Sequence, residues 1–223
     1  MSTTAIATGN VQPREYHQPH HFPTARDESE ASKLGMWLFL VTEILLFGGL
    51  FCAYAIFRTT HGEMFKGAHE HLSWKLGATN TMVLIFSSLT MALGVRASQM
   101  NEKRKTVVYL IVTLLCALTF LVVKYFEYSA KFEHGLLPGK YYHYDGYIPG
   151  TAPHIFFGIY FLMTGLHGLH VVIGMIAIGW ITLRAGRGDF SSKYFFPVEL
   201  VGLYWHLVDL IWIYLFPLLY LVG

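Results

Sequence analysis

Five long stretches with few ionisable side chains limit what this 223-residue chain can fold into. They lie at about residues 34–57, 76–97, 106–129, 154–183 and 195–222. A helix needs about 20 apolar residues to cross about 30 Å of hydrocarbon, and each stretch reaches that length. Charged residues make up 13% of the chain, against about 25% in soluble domains. The sequence therefore predicts an integral membrane protein.

The length of these stretches predicts helices rather than strands. Strands of membrane barrels have about 10 residues and alternate between apolar and polar positions. A single spanning segment can satisfy its own backbone hydrogen bonds in lipid only as a helix. We therefore predict an all-α integral membrane bundle in which residues 31–223 form a domain of five transmembrane helices. Residues 1–30, which contain three prolines and mixed charges, are predicted to be a flexible cytoplasmic tail.

The distribution of basic residues predicts the direction of the helices. An arrangement with the N-terminus inside the cell puts ten basic residues on the inner side, namely Arg14, Arg26, Lys33, Arg96, Lys103, Arg104, Lys105, Arg184, Arg187 and Lys193. It leaves five on the outer side, namely Arg58, Lys66, Lys75, Lys131 and Lys140. Because Lys and Arg favour the cytoplasmic side, we expect the N-terminus inside and the C-terminus outside.

One carboxyl group lies far inside the first predicted helix. Glu43 follows Lys33 by ten residues, which is about 15 Å along a helix and places it near the middle of the membrane. Hydrocarbon favours the neutral form of a carboxyl group. Two interpretations follow: Glu43 forms a site for a proton or a lipid headgroup, or it is protonated and bonded to a neighbouring helix.

The last two predicted helices carry the other embedded polar groups. Those of the final helix, Glu199, His206 and Asp209, share one face. His167 and His170 lie at similar depth on the fourth helix, so the two polar faces could meet in one interior cluster. The three histidines could ligate a metal or haem, or they could form interhelical hydrogen bonds. The i, i+3 spacing of His167 and His170 is a weak signal for ligation without a third fixed ligand, so it favours hydrogen bonds.

A charged pair is predicted near the outer end of the third helix. Lys124 and Glu127 are three residues apart, a spacing that places them side by side on a helix. Lys124 could pair with Glu127 or extend its ammonium group towards the interface. We expect a structural ion pair. The sequence contains no phosphate-binding loop, dinucleotide fingerprint or nucleophile motif, so we predict no catalytic residue.

Two motifs give the chain a family resemblance. They are TGLHGLH at Thr164–His170 and YWHLVD at Tyr204–Asp209, supported by KLGMWLFLVTE at Lys33–Glu43 and KYFEY at Lys124–Tyr128. Residues 31–222 resemble subunit III of the haem–copper terminal oxidases, the cytochrome c oxidase family. The five predicted helices are similar to the short bacterial form, which lacks the first two helices of the long form.

The resemblance implies a supporting role in a larger enzyme. The complex would be a proton-pumping respiratory oxidase of a bacterial cytoplasmic membrane, reducing oxygen to water. Subunits I and II would hold the haem and copper, and this chain none. The chain would pack directly on subunit I, accompanied by subunit II and a small subunit IV, hold phospholipid in a cleft and sustain turnover and proton uptake. Glu43 matches the family's buried carboxylate.

The short form implies one further contact, because the missing helices would leave a face of the bundle open. We expect helices of subunit I or subunit IV to cover that face.

The net charge of +2 argues against a nucleic-acid partner.

Several alternatives stay open at this point. The electron donor could be cytochrome c or quinol, and the chain also resembles the accessory subunit of nitric oxide reductases. A proton-coupled transporter using Glu43 and Asp209 would show an internal inverted repeat, which five helices do not suggest. A membrane haem protein would use the histidines as axial ligands.

Overall fold

The computed structural model describes residues 24–144, 147–148, 152–192 and 194–222. Within these ranges the chain forms helices α1 (Ala25–Thr60), α2 (Gly62–His69), α3 (Trp74–Gln99), α4 (Lys103–Glu133), α5 (His154–Arg187) and α6 (Phe196–Tyr220). All except α2 are long and apolar enough to cross a membrane. The prediction of an all-α protein with five membrane-spanning helices is confirmed.

Helix α1 begins earlier than its apolar stretch. Thr24 caps the helix by accepting a hydrogen bond from the Asp27 amide at 3.2 Å. The acidic side chains of Asp27 and Glu28 lie in the first turn, where their negative charges interact favourably with the positive end of the helix dipole. Residues 25–30, which the sequence analysis assigned to the tail, are therefore helical. Residues 1–23 of the predicted flexible tail lie outside the described residues.

Helix α2 was not predicted, and it is too short to span a membrane. Its apolar side chains Met64, Phe65 and Ala68 are buried. The Phe65 ring packs edge-on against Tyr54 of α1 and Phe156 of α5, with centroids 5.3 and 5.2 Å apart. The segment between the first two spans is therefore part of the packed structure.

Helices α3, α4, α5 and α6 pack as antiparallel neighbours that hydrogen-bond across their interfaces. Thr90 of α3 and Thr113 of α4 share a hydrogen bond of 2.8 Å. The indole of Trp205 on α6 donates to Ser87 at 2.9 Å, and that of Trp212 donates to Thr81 at 3.1 Å. Such hydrogen bonds help helices to associate in lipid, where no hydrophobic effect drives one helix against another.

Several helix ends meet at the side of the bundle where α4 finishes, which we name the Glu133 end. There His69 of α2 donates from its Nε2 atom to the Tyr220 carbonyl at 2.9 Å, and Tyr54 of α1 donates to the Leu218 carbonyl. Helices α3 and α5 begin at this same end. It is the end that the charge distribution predicts to face outwards.

Helix α1 lies at the edge of the bundle, packed on α5 and α6. Its apolar stretch is 17% buried inside the chain, against 44% for α6. Large apolar side chains, among them Leu34, Leu38, Val41 and Leu45, are exposed along it. We name this surface the α1 face. It offers an apolar surface to lipid or to another protein.

The contact between α5 and α6 depends on a glycine. The ring of the fully buried Trp205 lies against Gly174, where a Cβ atom would come within 2.7 Å of ring carbons Cε3 and Cζ3. Any side chain there would push the rigid indole or the helix backbone. Gly168 lies on the same helix, but nothing lies within 4 Å of the position of its Cβ.

We predict that Gly174→Ala destabilises the protein and Gly168→Ala does not. Overpacking at Trp205 should cost about 1–3 kcal/mol, which outweighs the roughly 1 kcal/mol gained from alanine's helix propensity. Thermal unfolding of the purified chain in detergent would measure both variants. Equal melting temperatures for the two variants would contradict the close approach of α5 and α6.

Candidate functional site

The structure pairs Glu43 of α1 with His170 of α5. The Oε2 atom of Glu43 lies 2.8 Å from Nε2 of His170, and Nδ1 of His170 lies 2.8 Å from the Leu166 carbonyl. A carbonyl oxygen only accepts, so Nδ1 carries a proton. The contact with Glu43 then needs one more proton, held by either the carboxyl or the ring. The Glu43–His170 pair can therefore shift a proton between its partners without changing its total charge.

The surroundings fix the His170 ring but leave the pair near the surface of the chain. Phe47 packs edge-on against the ring with centroids 5.2 Å apart, and Tyr204 donates to the His170 carbonyl at 3.1 Å. The side chains of Glu43 and His170 remain 14% and 10% exposed. The pair thus joins α1 to α5 close to the surface of the chain, where a neighbouring molecule can reach it.

A second polar group, which we name the Lys124 network, lies deeper in the bundle at the Glu133 end. The Lys124 ammonium donates to Glu127 at 2.9 Å and to the hydroxyls of Tyr160 and Tyr220 at 3.0 Å each. Both hydroxyls in turn donate to Glu127 Oε1, at 2.9 and 2.6 Å. Lys124 and Glu127 therefore lie side by side on α4, and Tyr160 and Tyr220 join them to α5 and α6.

Lys131 also belongs to this network, although sequence reasoning counted it only as an outer loop cation. Its ammonium lies 3.3 Å from Glu127 Oε1 and 4.9 Å from the centre of the Tyr160 ring. A lysine four residues after a glutamate on a helix is a recognisable pairing signal, so its spacing from Glu127 could have identified it.

The polar residues of α6 make separate contacts. His206 shares a hydrogen bond of 2.7 Å with Ser88 of α3. Glu199 forms an ion pair of 3.0 Å with Lys33 of α1. Asp209 is buried within the chain. The polar face of α6 therefore contacts two different helices along its length.

The three histidines considered as ligands do not converge. His167 is buried between the rings of Phe120 and Trp212, whose centroids lie 5.4 and 5.1 Å away. His170 contacts Glu43, and His206 contacts Ser88. In the part of the chain that the structure describes, no three His, Cys, Asp or Glu side chains are grouped so that they could hold a metal ion. His170 and His206 therefore make hydrogen bonds to other helices, as one of the two interpretations expected, whereas His167 is held by ring packing.

Comparison with known proteins identifies the same family along nearly the whole chain. Residues 15–223 match the model of the family described as "Cytochrome c oxidase subunit III". The chain is 32% identical over 226 residues to "Cytochrome c oxidase subunit 3" of Synechocystis sp., covering 100% of this chain and 88% of that protein. Its identity to the protein of the same name from Thermostichus vulcanus is 32% over 199 residues, covering 89% and 90%.

A similar protein carries a different name. "Probable quinol oxidase subunit 3" of Staphylococcus aureus is 27% identical over 212 residues, covering 93% of this chain and 96% of that protein. The family is therefore clear, while its relatives include both oxidase types.

We predict that Glu127→Gln strongly destabilises the protein. The substitution removes the one carboxylate that Lys124 and Lys131 share, which leaves two buried ammonium groups beside each other. Breaking a buried ion pair costs about 3–5 kcal/mol. Chemical or thermal unfolding of the purified chain would measure the loss.

Glu102→Gln is the matched control, because Glu102 pairs with Lys105 on the exposed start of the same helix at 2.8 Å. Exposed pairs add little stability, so this variant should unfold like the unchanged protein. If both variants had the same stability, the Lys124 network would not be a structural element.

Proposed function

Because the chain belongs to the cytochrome c oxidase subunit III family, we propose that it is the non-redox subunit III of a proton-pumping terminal oxidase. The chain is one subunit of a haem–copper oxidase and crosses the membrane several times. In this proposal partner subunits reduce oxygen to water, while this chain supports sustained turnover and proton uptake. The observation that carries the proposal is the Glu43–His170 pair beside the exposed α1 face.

The α1 face supports direct packing against subunit I. Charged or hydrogen-bonding groups at a lipid boundary are unfavourable unless they find partners. The Glu43–His170 pair stands at such a boundary, bordered by exposed apolar residues of α1. A helix of subunit I or of a small subunit IV, or a phospholipid held between them, would cover the α1 face and the pair. Subunit II completes the proposed complex.

The contacts of the three histidines support the proposal that haem and copper are bound by partner subunits. Each of the three candidates is engaged in this chain by other groups, as described above. A redox centre would have to displace the Glu43 contact of His170 or the ring packing of His167. We propose that these residues, with Asp209 and Glu199, form the polar interior of the bundle and carry no cofactor.

Cytochrome c is the proposed electron donor of the complex. The two relatives at 32% identity are both named cytochrome c oxidase subunit 3. A quinol oxidase is the second candidate, favoured by the 27% identity to the staphylococcal protein over almost its whole length. We further propose a bacterial cytoplasmic membrane as the location and the Glu133 end as its outer side, on the basis of the basic residues.

The test is affinity purification of a tagged chain from native membranes in mild detergent. We expect a haem–copper subunit to co-purify. The haem absorbance of the preparation should come from that subunit and be absent from the isolated tagged chain. A Glu43→Gln variant should assemble equally well, because glutamine keeps the size of the side chain. Its activity should be lost several-fold faster during continuous turnover, or its bound phospholipid reduced, because the amide cannot share a proton with His170.

Glu133→Gln is the matched control, since Glu133 is exposed at the end of α4. It should behave like the unchanged protein in every measurement. Purification of the tagged chain without any haem–copper partner would overturn the proposed function. Unchanged durability and lipid content in Glu43→Gln would instead limit the Glu43–His170 pair to a packing role.

A further inference from the structure

A cavity of about 360 Å³ opens at the Glu133 end, between the start of α3 and the end of α4. Its polar wall includes Ser73, Glu127, Lys131 and Tyr144. Its apolar wall includes Leu76 and Phe126. The volume is within the range of about 300–1,000 Å³ that is typical of small-ligand sites. We name it the Lys131 cavity.

The charges next to this cavity are unbalanced. Two ammonium groups, on Lys124 and Lys131, share the single carboxylate of Glu127. The Oε1 atom of Glu127 already accepts from both tyrosine hydroxyls as well as from Lys131, while its Oε2 atom accepts from Lys124. The network therefore has one positive charge in excess, in a region where an uncompensated charge is unfavourable.

Lys131 is the member of the network that can meet a ligand. Its side chain is 5% exposed, and it lines the cavity, whereas Lys124 does not. Among the described residues its ammonium makes one hydrogen bond, the long contact of 3.3 Å to Glu127. An ammonium group has three donors. Lys131 therefore retains donors for an anionic group in the cavity.

The start of α3 adds to the positive potential. Ser73 lies at the N-terminus of this helix and also lines the cavity, and its side chain makes no capping hydrogen bond. The first amide groups of a helix are free to bind, and its dipole favours a negative charge there. The helix terminus strengthens the site that Lys131 defines.

The position of the cavity suits an amphiphilic ligand. Trp74, the first residue of α3, is exposed, as tryptophans at the membrane interface are. The cavity-lining side chains of Leu76 and Phe126 are also exposed. A negative headgroup beside Lys131 would therefore have apolar surface next to it.

We propose that the Lys131 cavity binds a phosphate ester, with the Lys131 ammonium as its anchor and the start of α3 as a second contact. A phosphate group supplies the missing negative charge and several acceptor oxygens. Either a phospholipid headgroup or a free phosphate compound has this chemistry. The site lies on α3 and α4, away from the α1 face, and is separate from the Glu43–His170 pair.

The test uses the intact oxidase complex, exchanged into a detergent that contains no phosphorus. Phosphorus NMR would follow the binding of inorganic phosphate, and native mass spectrometry would count bound phosphatidylglycerol. Lys131→Gln should weaken binding about tenfold or more, as expected for the loss of a hydrogen bond to a charged group. Lys131→Arg, which keeps the charge, should bind like the unchanged protein.

Lys66→Gln is the matched control, because Lys66 is an exposed lysine of α2 that does not line the cavity. It should leave binding unchanged if the site, rather than general surface charge, holds the phosphate. The phosphatidylglycerol that binds the unchanged complex but not Lys131→Gln identifies the source of the ligand. If excess inorganic phosphate displaces this bound phosphatidylglycerol, a free phosphate compound is the ligand. If it persists in excess phosphate, the ligand is a lipid headgroup.

Two outcomes would overturn the proposal. One is equal binding of both probes by the unchanged complex and Lys131→Gln, and the other is no binding of either probe by the unchanged complex. Should Lys131→Gln fail to assemble, Ala130→Phe fills the cavity from its exposed wall and leaves every charge in place. Full binding of both probes in Ala130→Phe would contradict the proposal in the same way.

Discussion

An ionised side chain buried inside a membrane protein needs partners from the protein, and the Glu127 carboxylate finds them on three helices. Lys124 and Lys131 reach it from α4, Tyr160 from α5 and Tyr220 from α6. The same end of α6 receives the hydrogen bond of His69 from α2. Tyr220, which Glu127 holds in place, therefore also gives α2 one of its contacts at the Glu133 end.

The Glu43–His170 pair follows the same rule with a different result. Its two partners satisfy each other, but they do so at the edge of the chain beside the sparsely buried α1. The Lys124 network is closed within this protein except at the Lys131 cavity, whereas the pair borders a surface that must meet something else. This difference separates the part of the bundle that holds the chain together from the part that suits a role within a complex.

Much of the architecture could be predicted from the sequence because the membrane sets a minimum length for each spanning helix. The five spans and their type follow from stretches of about 20 or more apolar residues. The side-by-side placing of Lys124 and Glu127 follows from helical spacing alone. The two family motifs on α5 and α6 identified the family, because each fixes several polar residues at set positions.

Other features depend on tertiary contacts that no local pattern reveals. Glu43 and His170 are 127 residues apart, so neither predicts the other. Helix α2 has eight residues, and its role follows from burial against α1 and α5 rather than from length. The early start of α1 depends on the cap at Thr24, which lies outside the apolar stretch that guided the prediction. The divergence of the three histidines likewise follows from how α5 and α6 are rotated against their neighbours.

The most direct test of the account is an experimental structure of the complex purified from native membranes and held in a lipid bilayer. The account predicts that a helix of a partner subunit, or an ordered phospholipid between the two chains, covers the α1 face and contacts the Glu43–His170 pair. An α1 face in contact with bulk lipid alone, with the pair uncovered, would contradict it.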